Sequence, residues 1–153
     1  MMASRTDFSP AQAPSASDLQ RHPVVRRALE EAWQDSVPGD LDERHEEGGW
    51  IYMNTTTGEI TTRRAPRGRQ AAVNLTWPTV VAGHVVVAKF HTHPNPSTER
   101  WMTGPSASDR VIDARHGVPD LILADDGIHV SGPEMRRGGL TGGPGYPPVV
   151  EEA

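Results

Sequence analysis

The chain has 153 residues, a length typical of one domain, and it contains no cysteine. Without cysteine there are no disulfides, thiolate zinc sites, iron–sulfur clusters or cysteine nucleophiles, so any metal must be held by histidine and carboxylate. The formal net charge of −5 argues against nucleic-acid binding, which usually needs a basic surface. The sequence also lacks a long apolar run and an apolar signal segment, so we expect a cytoplasmic protein that does not engage a membrane.

Composition divides the chain into three parts. Residues 1–18 are mostly Ser, Ala, Pro and Gln with few large apolar groups, so we predict disorder there. Residues 134–153 are rich in Gly and Pro and are predicted to form a flexible tail. The folded domain is therefore expected to span residues 19–133.

The first predicted element is a helix over residues 22–36, because Val25, Leu29 and Trp33 recur every four residues and form one apolar stripe. Turn residues and flanking apolar or β-branched residues then predict a hairpin. Its parts are a strand at 50–53, a turn at 54–58 and a returning strand at 59–63.

A basic loop follows the hairpin. Four arginines lie close together in it: Arg63, Arg64, Arg67 and Arg69. Such a cluster is typical of an ordinary solvated loop, and it is also compatible with a contact for an acidic partner.

The second half of the domain begins with residues 85–90, a nearly continuous apolar run of the length of a buried central strand. We also predict a helix over residues 106–116 that ends at Gly117. The remaining predicted strands are a short one at 73–75, a buried one at 121–123 and a return at 128–130. This order predicts an α+β (α/β-like) fold, in which a mixed central sheet carries flanking helices.

The most informative segment follows the central strand. His91 and His93 lie two residues apart where that strand ends, so strand alternation directs both imidazoles to the same side. Two such imidazoles can bind one metal ion, although an isolated H-x-H pair is a weak signal. Pro94 cannot donate to a sheet and is expected to end the strand.

Asp109 lies in the first turn of the next predicted helix and could supply an oxygen ligand. The spacing of Ser106 and Asp109 also matches a capping box, in which both side chains serve the helix N-terminus. A structural cap and a metal ligand are both open for this pair.

A hydrolytic metal site also needs a general base. Glu46 and Glu47 precede the first predicted strand of the hairpin, at the end of an acidic run. The alternatives are a solvated acidic segment or a base contributed by one of the two. The residues alone leave the choice between Glu46 and Glu47 open.

Together these segments resemble the JAMM (JAB or MPN+) metalloprotease motif. The resemblance rests on Glu46-x-x-Gly49, His91-x-His93-Pro94 and Ser106-x-x-Asp109, and it covers roughly residues 44–130. Four short segments are also similar to bacterial JAB-like domains of polymorphic-toxin or ubiquitin-like systems: HEEGGWIY, HTHPNP, GPSASD and GVPDLIL. The resemblance implies the JAB/MPN (cytidine-deaminase-like) architecture.

The resemblance also implies roles. His91, His93 and Asp109 would bind Zn²⁺ and leave one coordination position open, Glu46 would be the general base, and Ser106 would stabilise the oxyanion. The reaction would be hydrolysis of a peptide or isopeptide bond in a protein substrate, with a ubiquitin-like or toxin-linked substrate implied by resemblance alone.

The chain departs from the family pattern in the loop at residues 95–105, which is longer than usual. We expect this loop either to form a lid that presents Trp101 and Met102 to the substrate or to be a plain surface insertion. A non-catalytic binding module on the same fold is the main alternative function. Metal-dependent chemistry on nucleic acids is less favoured, because zinc base deaminases need cysteine ligands.

Overall fold

The computed structural model describes residues 14–75, 78–99, 101 and 103–132. Within these ranges the chain forms an α+β fold with three α-helices and one five-stranded sheet. The helices are α1 (Ala16–Arg21), α2 (Pro23–Asp35) and α3 (Ala107–His116), with a short 3₁₀ turn at Ser97–Glu99. The strands are β1 (Gly48–Asn54), β2 (Ile60–Arg64), β3 (His84–His93), β4 (Asp120–Ala124) and β5 (Gly127–Ser131).

The sheet is mixed, with strand order β2-β1-β3-β4-β5. The β3–β4 pair is parallel and the other three pairs are antiparallel. Helix α3 makes the crossover between the parallel strands, as such a connection requires. The end of β3 and the start of α3 therefore lie near each other in the fold.

The central strand β3 is buried along nearly its whole length, as its apolar run predicts. On one face of the sheet, β1 and β3 pack against α1 and α2 through a core that includes Leu19, Leu29, Ile51 and Phe90. The opposite face carries a smaller apolar cluster that includes Trp50. The rest of this second face carries polar side chains.

A register shift in the β1–β3 pairing decides which side chains reach that second face. Ile51 pairs with Ala88 and Tyr52 pairs with Val86, so Val87 is the extra residue of a β-bulge. Because of the bulge, the apolar side chains of β3 remain on the helix-covered face. Lys89 lies two residues before His91, and both side chains face the opposite side of the sheet. Bulges commonly redirect side chains in this way next to functional sites.

Two predictions at the level of elements are wrong. Residues 73–75 do not form a strand, and the segment has only an isolated bridge between Arg69 and Ala72. The predicted disorder over 1–18 fails at its end, because Ser15 caps α1 and Ala16 packs into the core. The folded part therefore starts before residue 19.

The rest of the predicted N-terminal segment and the tail at 134–153 lie outside the described residues. The predicted helix at 22–36 and the hairpin are confirmed within one or two residues. Across the described ranges, no helix combines the length and apolar character needed to cross a membrane.

Candidate metal centre

His91 and His93 lie on the last residues of β3 and face the same side of the sheet, as predicted. Both residues are buried, and their Nε2 atoms are 3.0 Å apart. The other ring nitrogen of each is occupied: Nδ1 of His91 lies 3.0 Å from Oδ1 of Asp120, and Nδ1 of His93 lies 3.2 Å from the carbonyl oxygen of Thr103. Each imidazole is therefore held by a separate acceptor.

These outer contacts determine the chemistry of the inner nitrogens. A carboxylate and a backbone carbonyl only accept hydrogen bonds, so Nδ1 of both His91 and His93 carries the proton. In a neutral imidazole Nε2 is then a lone-pair acceptor. Two such lone pairs directed at one point repel each other unless a cation or a proton lies between them.

Asp109 adds a third acceptor at the same point. It lies in the first turn of α3, and its Oδ2 is 3.5 Å from Nε2 of His91 and 3.4 Å from Nε2 of His93. The predicted capping box is also present: Ser106 Oγ accepts from the Asp109 backbone N–H, and the Ser106 backbone N–H donates to Asp109 Oδ2. Capping and proximity to the histidines are therefore properties of one carboxylate.

The two candidate glutamates have different surroundings. Glu46 is buried beside the histidines, with Oε2 3.9 Å from Nε2 of His93. Glu47 points to the other side, where its carboxylate contacts His45 at 2.5 Å and Arg64 at 2.5 Å. The geometry thus brings Glu46, and not Glu47, to the histidine pair.

Backbone contacts fix the position of Glu46. Its N–H donates to the carbonyl oxygen of Arg69 at 2.6 Å, and its carbonyl oxygen accepts from Gly68 at 2.9 Å. Gly49 then allows close passage of the strands, since a Cβ there would lie 2.8 Å from the ring of Phe90. In the E-x-x-G sequence, the glutamate is therefore held by backbone hydrogen bonds, and the glycine permits close packing near the start of β1.

The site shifts the proton affinities of its acidic groups in opposite directions. Burial raises the pKa of Glu46 to about 7, and the charges of His91 and His93 only partly oppose this. Burial also disfavours ionised Asp109, but its contacts with both histidines prevail and hold its pKa well below the usual range. One carboxylate is thus permanently charged, and the other can exchange a proton near neutral pH.

The pKa of His91 is raised well above its ordinary value. Burial opposes the charged ring, but Asp120 and Asp109 outweigh it through charge and hydrogen bonding. The groups around His91 therefore favour positive charge at this position.

The buried group formed by Glu46, His91 and His93 could hold a metal ion, because one ligand atom from each residue lies within 4.8 Å of the others. Asp109 lies closer still to both histidines, at the distances given above. The structure therefore brings Glu46, His91, His93 and Asp109 together.

The site opens into a cleft of about 410 Å³. Ser106 lines this cleft, and Trp101 lies in its wall with 40 % of its surface exposed. The irregular segment 71–75 also lines the cleft. Met102, the second predicted substrate contact, lies outside the described residues.

The loop at residues 95–105 is tied to the domain by side chains. Arg44, which is buried, pairs with Glu99 at 2.7 Å, and Asn95 donates to the carbonyl oxygen of Gln70. Thr103 donates to Asp126 on the β4–β5 turn. These contacts hold Asn95, Glu99 and Thr103 of the loop against the rest of the domain.

The basic loop is partly explained by neutralising contacts. Arg64 pairs with Asp35 and Glu47, and Arg67 lies 3.5 Å from Glu43. These ion pairs join the end of β2 and the following loop to α2 and to the acidic segment before β1, which favours a structural role for part of the cluster.

Sequence reasoning did not identify Asp120 or Thr103 as partners of the histidines. Thr103 acts through its backbone carbonyl, which carries no side-chain signal. Asp120 did offer a signal in the sequence, because a charged residue at the start of a predicted buried strand needs a partner.

No protein-family model, curated protein or solved structure matches this chain. The function proposed below is therefore based on the geometry of the site and on the motif in the sequence.

Proposed function

We propose that the chain is a zinc-dependent peptidase or isopeptidase of the JAMM type. The observation that carries the proposal is the convergence of His91 Nε2, His93 Nε2 and Asp109 Oδ2, which are 3.0 to 3.5 Å apart in pairs. The buried Glu46 carboxylate stands beside this triangle.

The spacing of the three atoms supports zinc as the metal. Ligand atoms bonded at 2.0–2.1 Å in a tetrahedron lie about 3.3–3.4 Å from one another. The distances in the triangle scatter around this value. Nitrogen and oxygen ligands with a position left open are typical of catalytic zinc, whereas structural zinc is usually closed by four protein ligands.

Each residue then has a role that agrees with its surroundings. His91, His93 and Asp109 would hold the zinc ion, which when bound supplies Lewis acidity for hydrolysis near neutral pH. Glu46, with a pKa of about 7, is suited to take a proton from water and return it to the leaving amine. The Ser106 oxygen accepts from the helix, but its own hydroxyl proton remains available to an oxyanion.

The substrate proposed is a protein or peptide. Apolar atoms make up most of the cleft lining, which suits burial of an apolar side chain of a polypeptide substrate. A ubiquitin-like or toxin-linked protein is proposed from the resemblance of the motif. The mixed five-stranded sheet with flanking helices supports the JAB/MPN architecture as part of this proposal.

The decisive experiment is hydrolysis of a panel of ubiquitin-like fusions, linear and isopeptide-linked, by zinc-loaded protein. We expect wild type to cleave at least one substrate and Glu46→Gln to keep zinc but lose cleavage. Glu47→Gln is the matched control: it should lower thermal stability by removing the charge that pairs with Arg64 while retaining cleavage. Zinc-loaded wild type that cleaves nothing but binds a member of the panel would instead support a non-catalytic binding module.

A further inference from the structure

Behind the histidine pair lies a group of buried charged side chains. Lys89 is two residues before His91 on β3, Asp120 begins β4, and Asp113 lies on α3. At most 3 % of the surface is exposed in each of four residues: Lys89, His91, Asp113 and Asp120. None of the roles proposed above uses Lys89, Asp113 or Asp120.

Lys89 is the cation of this group. Its Nζ is 2.6 Å from Oδ1 of Asp113 and 2.8 Å from Nδ1 of His116, and the ring of Trp50 lies beneath it at 5.9 Å. A buried ammonium is costly unless it is paired, so this enclosure binds Lys89 firmly in place. The contacts also join α3 to β3 directly beneath the histidine site.

Asp120 connects the group to the histidine site. It is paired with Lys89 in the parallel β3–β4 register, which places it beside β3. Its Oδ1 lies 3.0 Å from Nδ1 of His91.

The two histidines therefore differ in their outer partners. His93 is held by the carbonyl oxygen of Thr103, a neutral acceptor, whereas His91 is held by the full negative charge of Asp120. An outer carboxylate fixes the tautomer and ring orientation of a metal-bound histidine and makes the ring a stronger ligand. Loss of such a partner typically weakens metal binding by about 10- to 100-fold.

We propose that Asp120 is the positioning residue for His91. It holds Nδ1 protonated and Nε2 directed at the metal through the 3.0 Å contact between its Oδ1 and Nδ1 of His91. This inference rests on the metal site of the proposed function, but it does not depend on peptide hydrolysis.

The first test uses wild-type protein loaded with Zn²⁺ and long-range ¹H–¹⁵N NMR of the histidine rings. The proposal expects a protonated Nδ1 on His91 with a downfield proton shift, as for a hydrogen bond to a carboxylate. A His91 ring protonated at Nε2, or bound through Nδ1, would overturn it. Because this measurement needs no variant of Asp120, it remains decisive if substitutions impair folding.

The second test measures Co²⁺ affinity and the visible spectrum of the bound Co²⁺. Asp120→Asn preserves the size of the side chain but removes its charge, and Asp120→Ala removes the acceptor. We expect the dissociation constant to rise by about 10- to 100-fold for Asp120→Ala and by less for Asp120→Asn, with altered ligand-field bands.

Asp113→Asn is the control for a general effect of disturbing the buried charges. It breaks the Lys89 ion pair and should lower the melting temperature, but it leaves the contact between Asp120 and His91. We expect a smaller loss of Co²⁺ affinity than for Asp120→Ala. Equal losses in the two variants, or wild-type affinity in folded Asp120→Ala, would overturn the proposal.

These outcomes can be separated from failure of the proposed function. Wild type that binds Co²⁺ and Zn²⁺ without cleaving any substrate would refute the peptidase but leave the positioning role intact. Wild type that binds neither ion would refute both.

Discussion

The backbone N–H of Ser106 donates a 2.9 Å hydrogen bond to Oδ2 of Asp109, and this same oxygen faces both histidines of the site. The helix cap and the proposed metal ligand are therefore one group. Because the cap fixes the carboxylate, folding of α3 delivers the oxygen to the end of β3 in a defined position. Substitutions at these two residues can separate the structural contribution from the functional one.

Asp109→Asn should separate the two roles of this side chain. The amide oxygen can still accept from Ser106, but the attraction between the Asp109 charge and the histidines is lost, so the metal-free melting temperature should fall, though by less than in Asp109→Ala. Loss of the anionic ligand should weaken zinc binding by more than the about 10- to 100-fold typical of losing an outer partner. Asp109→Ala should lose both. Calorimetry with zinc and thermal melting in chelator measure the two effects, and wild-type zinc affinity in Asp109→Asn would refute the assignment.

Substitutions of Ser106 should separate the cap from the proposed oxyanion donor. Alanine at an N-cap costs about 1 kcal/mol, whereas glycine costs only a few tenths. Both remove the hydroxyl, so both should reduce kcat by about 100-fold or more if the proposed role is correct. Ser106→Thr keeps the hydroxyl and should restore most activity. A Ser106→Gly enzyme with wild-type kcat would show that Ser106 is only a cap.

The metal-free protein should lose stability as pH rises from about 5 to 8. The folded pKa of Glu46 is raised from 4.5 to about 7, so its contribution is complete below pH 4.5 and is lost as pH rises through 7. Asp113, with a pKa raised to about 6 by burial and by Asp120, acts in the same direction at lower pH. His91, whose pKa is also raised, extends the loss above pH 6.5.

Zinc should reverse this trend, because metal binding needs deprotonated ligands and therefore strengthens with pH. The difference in melting temperature between zinc-loaded and chelator-treated protein should widen from pH 5.5 to pH 8. In Glu46→Gln the decline of the metal-free protein should be shallower. A difference in melting temperature that stays constant over this range would contradict the account.

Trp101→Ala tests the cleft wall. Removal of the ring from the mouth of the cleft should raise KM for peptide substrates roughly tenfold, as for loss of a well-packed contact residue. Zinc affinity should change little, since Trp101 is not one of the proposed ligands. Leu41→Ala is the control, because Leu41 is 68 % exposed and does not line the cleft. An unchanged KM for every cleaved substrate would remove Trp101 from the binding surface.

The sequence patterns that predicted correctly are those that depend on neighbours along the chain. The apolar period of α2, the apolar run of β3 and the i, i+2 spacing of His91 and His93 are local, and the structure confirms them. The capping box of Ser106 and Asp109 is local as well.

Failures of prediction have physical reasons. Ser15 and Ala16 belong to a short helix whose apolar residues gain stability from the core, which composition alone does not indicate. The bulge at Val87 and the partners of His91 and Lys89 depend on pairing between distant strands and on packing of α3. The motif favours Glu46 over Glu47 as the base, which stays a prediction; the structure places Glu46 beside His93 and pairs Glu47 with Arg64.

The measurement that tests the central claim most directly is the metal content of purified protein after equilibration with zinc and removal of the excess. The account predicts about one zinc per chain in wild type, as for a single catalytic site. It also predicts loss of that zinc in His93→Ala and its retention in His84→Ala, at the far end of the same strand. Wild-type protein with His91 and His93 intact that holds no stoichiometric zinc would contradict it.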